Sequence, residues 1–181
     1  MRVAPSRWED LPWYLRPLFR RQERRYGQLL TPALTWARAP ALYGPLLGFY
    51  AAIERRRSPL PPLLRSLVQV RVSQLVHCTF CIDLNAAIAA ERAASMDKVW
   101  AVERWRDDDR FTPAERLALE YAEAMSRDEG VDDDLAARVR AQFDEKALIE
   151  LTALIAFQNL SARFNAALAI APQGLCRVPP R

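Results

Sequence analysis

Arg71-Val72-Ser73-Gln74-Leu75-Val76-His77-Cys78-Thr79-Phe80-Cys81-Ile82-Asp83-Leu84-Asn85 is the run on which the reading of this chain turns. It joins two helical stretches. The first starts after Pro62, carries Leu63, Leu67, Val70 and Gln74 at helical spacing, and ends near His77. The second begins at the Cys-x-x-Cys pair and runs to about Ala94. The cysteines are thereby expected at the N-terminus of a helix, where free backbone N–H groups and the helix dipole favour a thiolate.

The same period continues outward. Helices are expected over about Leu18 to Leu30, Ala41 to Arg56, Asp97 to Trp105, Thr112 to Met125, Leu135 to Gln142, and from Asp144 to about Ala169. Thr112, Pro113 and Glu115 spell a capping box with proline at the first helical position, and Asp144 reads as an N-cap. Only 5 glycines occur, and the 13 prolines gather at segment edges. No window alternates as a strand would. The fold class is all-α, a compact bundle of six to eight helices.

With 181 residues, 51% of them hydrophobic, one sizeable domain can bury a core, and a wholly disordered protein is excluded. No run is long and apolar enough for a spanning helix. The proline-broken start of the chain lacks the continuous apolar core of a signal peptide, so the expected location is the cytoplasm and no membrane partner is expected. The net charge of +4 is uneven. Residues 1–65 hold 12 Arg against 4 acids, and the remainder is net acidic. The basic third reads as a solvated face rather than a nucleic-acid module, because aromatic and glycine spacing of that kind is absent. Three segments are expected: a basic arm over 1–26, a helical domain over 27–170 and a tail over 171–181.

Of the three cysteines, Cys176 reads as a bystander thiol in the tail. Cys78 and Cys81 have the spacing of a redox pair, in which one thiolate attacks a peroxide or disulfide and the other resolves the product. Two alternatives stand beside this. The pair can be buried small hydrophobes, or part of a zinc site, for which only His77 and the distant Cys176 are further ligands of the right kind.

The stretch from about Leu64 to Ala90 resembles the active-site helix pair of the carboxymuconolactone decarboxylase and alkylhydroperoxidase D superfamily, whose members read Glu, eleven residues, Cys-x-x-Cys, three residues, His. Trp105 to Glu123, with Phe111-Thr112-Pro113-Ala114-Glu115-Arg116, resembles the helices that follow in the peroxidase-related branch. Phe143 to Arg163, ending Asn159-Leu160-Ser161-Ala162-Arg163, resembles its last helix. The resemblance implies an all-helical homo-oligomer, a trimer or hexamer. It implies an antioxidant oxidoreductase that reduces a hydroperoxide and is recharged by a dithiol protein of lipoyl or thioredoxin type. No metal, haem or flavin cofactor is implied.

Carried over by position, Cys78 and Cys81 match both redox cysteines, whereas the relay His position is Asn85 and the relay Glu position is Ser66. Asn85 stacks on Cys81 one helical turn on, which assigns Cys81 to the peroxide and Cys78 to resolution. Asn85 can orient a water or substrate but cannot take a proton. His77 and Asp83 are the local candidates to support the thiols. Loss of both relay groups keeps a second reading open: a non-catalytic homo-oligomeric scaffold, or a redox sensor, on a decayed peroxidase frame.

Overall fold

The computed structural model describes residues 1–127 and 130–176. Among these, nine α-helices and two 3-10 segments occur and no strand. The helices are α1 (Arg16–Tyr26), α2 (Thr31–Trp36), α3 (Pro40–Ile53), α4 (Pro62–Leu75), α5 (Thr79–Ala93), α6 (Met96–Trp100), α7 (Pro113–Ser126), α8 (Asp133–Gln142) and α9 (Glu145–Ala167), with 3-10 segments over Trp8–Asp10 and Ala101–Asp107. No described helix is long and apolar enough to cross a membrane.

Helix α4 is the axis of the bundle. Its sequence carries apolar or small residues on every side, so Leu64, Ser66, Leu67, Val68, Val70, Val72 and Ser73 are all buried. It packs against α5, α7 and α9 at once. One core joins α4 to α7 and α9 through Leu64, Val68, Ala118, Ala122, Leu151 and Ile155. A second joins α4 and α5 to Val99, Val102 and Trp105. A third holds Cys78, Phe80 and Cys81 against Phe19, Ala33 and Tyr43 from the N-terminal helices. Burying one such side chain fully is worth about 1.5–3 kcal/mol.

The prolines begin helices as expected: Pro62 and Pro113 stand in first turns, and the Thr112–Glu115 capping box is present in both directions. Asp144 caps α9, its carboxylate accepting the Ala147 N–H at 2.7 Å. The helices differ from the sequence reading in places, and the one expected over about Asp97 to Trp105 is α-helical only over Met96–Trp100 before continuing as a 3-10 segment. The first helix stops at Tyr26, because Gly27 turns left-handed (φ 73°) and gives its N–H to Glu23 O. The released chain then forms the short α2, which starts beside Pro32 and was not anticipated. The segment 1–26, expected as an arm, buries Leu11, Leu15 and Phe19 in the third core. Of the expected tail, residues 177–181 lie outside the described residues.

Candidate active site

One residue, His77, separates two helix caps. At the end of α4, the His77 N–H bonds Gln74 O at 3.1 Å and the Cys78 N–H bonds Ser73 O at 3.0 Å. His77 itself is exposed with φ 55°. This is the paired-bond helix ending in which a left-handed residue satisfies the last carbonyls. Cys78 is at once the closing residue of that ending and the N-cap of α5, and its Sγ accepts the Cys81 N–H at 3.2 Å. A disulfide joins Cys78 to Cys81, with Cα atoms 5.2 Å apart. Both residues are buried, and the expected position at a helix start holds.

The two sulfurs meet different surroundings. Cys81 lines a cavity of about 450 Å³, and Cys78 does not. The roof comes from the N-terminal helices: Tyr26 of α1, Trp36 of α2, and Tyr43, Leu46 and Leu47 of α3, with Phe157 of α9 beside them. Trp36 is fixed by stacking on Phe164, ring centres 3.9 Å apart. The floor is a row of uncharged polar groups: Gln69 of α4, Asn85 of α5, and Gln158 and Asn165 of α9.

Asn85, Gln158 and the carbonyl of Gln69 are hydrogen-bonded around Ser73, while the Gln69 side-chain Nε2 donates to Glu54 Oε1 at 3.3 Å. Asn85 Nδ2 donates to Ser73 Oγ at 3.0 Å, Gln158 Nε2 donates to the same oxygen at 3.1 Å, and Ser73 Oγ donates to Gln69 O at 2.6 Å. Asn165 Nδ2 donates to Cys81 Sγ at 3.3 Å. A ring of amides and a hydroxyl can orient a substrate, but none of its members takes up a proton near neutral pH.

The remaining sequence candidates lie elsewhere. Ser66 is on α4 as expected, but its Oγ accepts from Arg92 Nη1 at 2.7 Å, in a cluster where Arg92 also pairs with Glu54 at 2.6 Å. It makes no hydrogen bond to Asn85 or Cys81. Asp83 faces the other side of α5, where its carboxylate accepts the N–H groups of Gln173, Leu175 and Cys176 at 2.7–3.0 Å. It thereby ties the C-terminal segment to the cysteine helix. Cys176 is half-buried, and burial together with Asp83 pushes its thiol pKa up. Among the described residues no group of three His, Cys, Asp or Glu side chains is arranged to hold a metal.

Sequence reasoning missed Ser73, Gln158 and Asn165. Their signal was present, since Gln158, Ser161 and Asn165 recur at three and four residues along α9 on a helix otherwise rich in apolar side chains. All three line the cavity.

Residues 40–124 match the model of the carboxymuconolactone decarboxylase family. The uncharacterized protein YnjA of Escherichia coli is 49% identical over 172 residues, 94% of each chain. Among solved structures, the debrominase Bmp8 superposes with a TM-score of 0.85 at 28% identity, covering 97% of this chain and 94% of that one. A cysteine-to-alanine variant of Bmp8 in complex with 2,3,4-tribromopyrrole gives 0.86 at 27% identity. An alkylhydroperoxidase AhpD core protein from Ralstonia eutropha gives 0.85 over 99% and 97% of the two chains, and at 21% identity that likeness shows the fold. By this relationship the chain belongs to the carboxymuconolactone decarboxylase family.

Proposed function

We propose that the protein is a dithiol–disulfide oxidoreductase that reduces organic hydroperoxides at Cys81. The observation that carries this reading is the asymmetry of the pair: of two joined sulfurs, only that of Cys81 meets a cavity sized and lined for an organic molecule. In the reduced protein the Cys81 thiolate attacks the terminal peroxide oxygen. The O–O bond breaks, the alcohol leaves with a proton, and Cys81 becomes a sulfenic acid. The Cys78 thiolate then attacks that sulfur, water leaves and the disulfide closes. Cys78 suits the resolving role, because its N-cap position and the Cys81 N–H favour its ionised form. A dithiol protein of lipoyl or thioredoxin type restores the pair. Exposed Leu42 on α3 and Ile149 and Leu160 on α9 support the further reading that copies of the chain associate.

The likeness to a debrominase favours a second reading on the same sulfurs. The Cys81 thiolate takes bromine from a brominated ring, the ring carbon gains a proton, and Cys78 displaces bromide to form the disulfide. One experiment separates the readings. Reduced protein is mixed in stopped flow with cumene hydroperoxide, hydrogen peroxide or 2,3,4-tribromopyrrole, while free thiols and bromide are followed. The peroxidase reading expects the bulky hydroperoxide to oxidise the pair fastest and Cys81→Ser to abolish this. Oxidation by the bromopyrrole alone, with bromide release, replaces it with the second reading. Thiols no faster than free cysteine towards all three would reduce the protein to a scaffold or sensor.

A further inference from the structure

The family's relay positions hold no titratable group here, which leaves open what prepares Cys81 for attack. We infer that Asn165, a residue of the last helix, does so by holding its side-chain N–H against the Cys81 sulfur as the stabilising donor for the thiolate. This rests on the reading that Cys81 is the attacking thiol.

Three observations carry the assignment. Asn165 Nδ2 lies 3.3 Å from Cys81 Sγ, and it is the side-chain donor that meets this sulfur. Asn165 is held in place by the end of α9: Ala169 turns left-handed (φ 53°), the Ile170 N–H bonds Asn165 O at 3.0 Å, and Ile170 is buried. Its amide is 2% exposed, and Oδ1 has no hydrogen-bond partner. A buried amide oxygen left unpaired costs stability, and such orphans in native structures mark sites where another requirement outweighs it. Here the requirement is to aim Nδ2 at sulfur.

The chemistry favours the ionised thiol. A disulfide sulfur is a weak acceptor, whereas a thiolate makes a charge-assisted bond, roughly twice as strong as a neutral one. A half-turn of the amide would offer Oδ1 to a thiol S–H, but that bond is neutral and weaker, so the balance lowers the thiol's titration midpoint. The other groups around the cavity form a constant background. Helices α2, α4, α5 and α9 line it with uncharged side chains. Helix α1 brings Arg21, and Arg25 paired with Glu91. Burial raises the pKa of Tyr26 and Tyr50, and raises Tyr43 to about 12, so the phenols stay neutral. His77 is exposed on the connecting turn, and the carboxylate of Asp83 is occupied by the C-terminal segment.

The test is made in the Cys78→Ser protein, where a serine N-cap preserves α5 and one thiol of the pair remains. The pH dependence of Cys81 alkylation by iodoacetamide is measured without substrate or reductant, with Cys176→Ser added to remove the other thiol. Asn165→Leu, close in shape but without the donor, should raise the midpoint by about one pH unit. Asn165→Asp, which sets a carboxylate beside the thiolate, should raise it further. A purely structural asparagine predicts an unchanged midpoint in Asn165→Leu, and that result overturns the inference; the carboxylate of Asn165→Asp raises the midpoint in either case and checks that position 165 meets the sulfur. Should Asn165→Leu not fold, the side-chain amide resonances of Asn165 in the parent decide it. They must shift with the midpoint of Cys81, and resonances that stay flat across that range also overturn the inference. The assay needs no turnover, so a lowered midpoint in a protein inert to hydroperoxides would sink the proposed reaction while leaving this assignment standing.

Discussion

Helix α4 carries a buried polar cluster on each of two sides. On one, Arg71 Nε meets Glu123 Oε1 at 2.7 Å, and Trp105, Arg106 and Arg127 bond the same carboxylate at 2.9, 2.9 and 3.4 Å. On the other, Gln69 and Ser73 meet Asn85 and Gln158, and no member carries charge. Burial alone would raise the pKa of Glu123. The bonds from Arg106 and Trp105 and the charge of Arg71 outweigh it, bringing the group from 4.5 down to about 2. A carboxylate held so low is a brace and not a base. The uncharged cluster is the reverse: it braces weakly, moves no proton, and leaves the proton inventory of the site to the sulfurs and the substrate.

The comparison breaks first at Asn85, where the largest change is expected. Asn85→His puts a titratable group on the face of α5 shared with Cys81, and hydroperoxide turnover should rise within the 10²–10⁴-fold range of positioned acid–base groups. A rate that does not move would show that proton transfer does not limit the site. Adding Ser66→Glu should contribute little, because Arg92 already bonds Ser66 Oγ and would neutralise the new carboxylate.

The charged cluster gives the next effect. Glu123→Gln leaves the half-buried Arg71 without its counter-charge and should lower unfolding stability by about 3 kcal/mol, read by denaturant titration. The Glu123 pKa is lower folded than unfolded, so its stabilisation is present above 4.5 and lost as pH falls towards about 2. Wild type should therefore lose stability across that window, and the variant should lose less there. Equal acid profiles would show that Glu123 is not the brace described.

The smallest expected change is at the turn. His77 pays a left-handed penalty that glycine escapes, so His77→Gly should stabilise by about 1 kcal/mol and leave the alkylation midpoint of Cys81 unchanged. A midpoint that rises instead would return His77 to the site as a thiol-tuning cation.

Much of the frame was legible in the chain. Helix starts are written in local chemistry, as at Thr112–Glu115 and Asp144, and the cysteine pair sits where its spacing placed it. The neighbours of Cys81 were harder. Counting back from Cys78 finds the right helix for Ser66, but the crossing of α4 and α5, set by the turn at His77, brings Ser73 to Asn85 and leaves Ser66 to Arg92. Asn165 stands 84 residues from Cys81, and although the spacing of Gln158, Ser161 and Asn165 marks a polar stripe on α9, nothing local says which sulfur that stripe would meet. The short α2 was hidden for a similar reason: the six residues Thr31–Trp36 carry too little periodicity to be seen.

The roof of the cavity belongs to the start of the chain, and it is fastened to the end. Arg2 bonds the carbonyl of Ala167, and Gln173 takes the Thr31 N–H, contacts that span 165 and 142 residues. Loops of that length are slow to close, because their entropy must be given up before the contact forms. The compartment over Cys81 is therefore held by both ends of the chain, and closing it costs more chain entropy than joining the neighbouring α4 and α5.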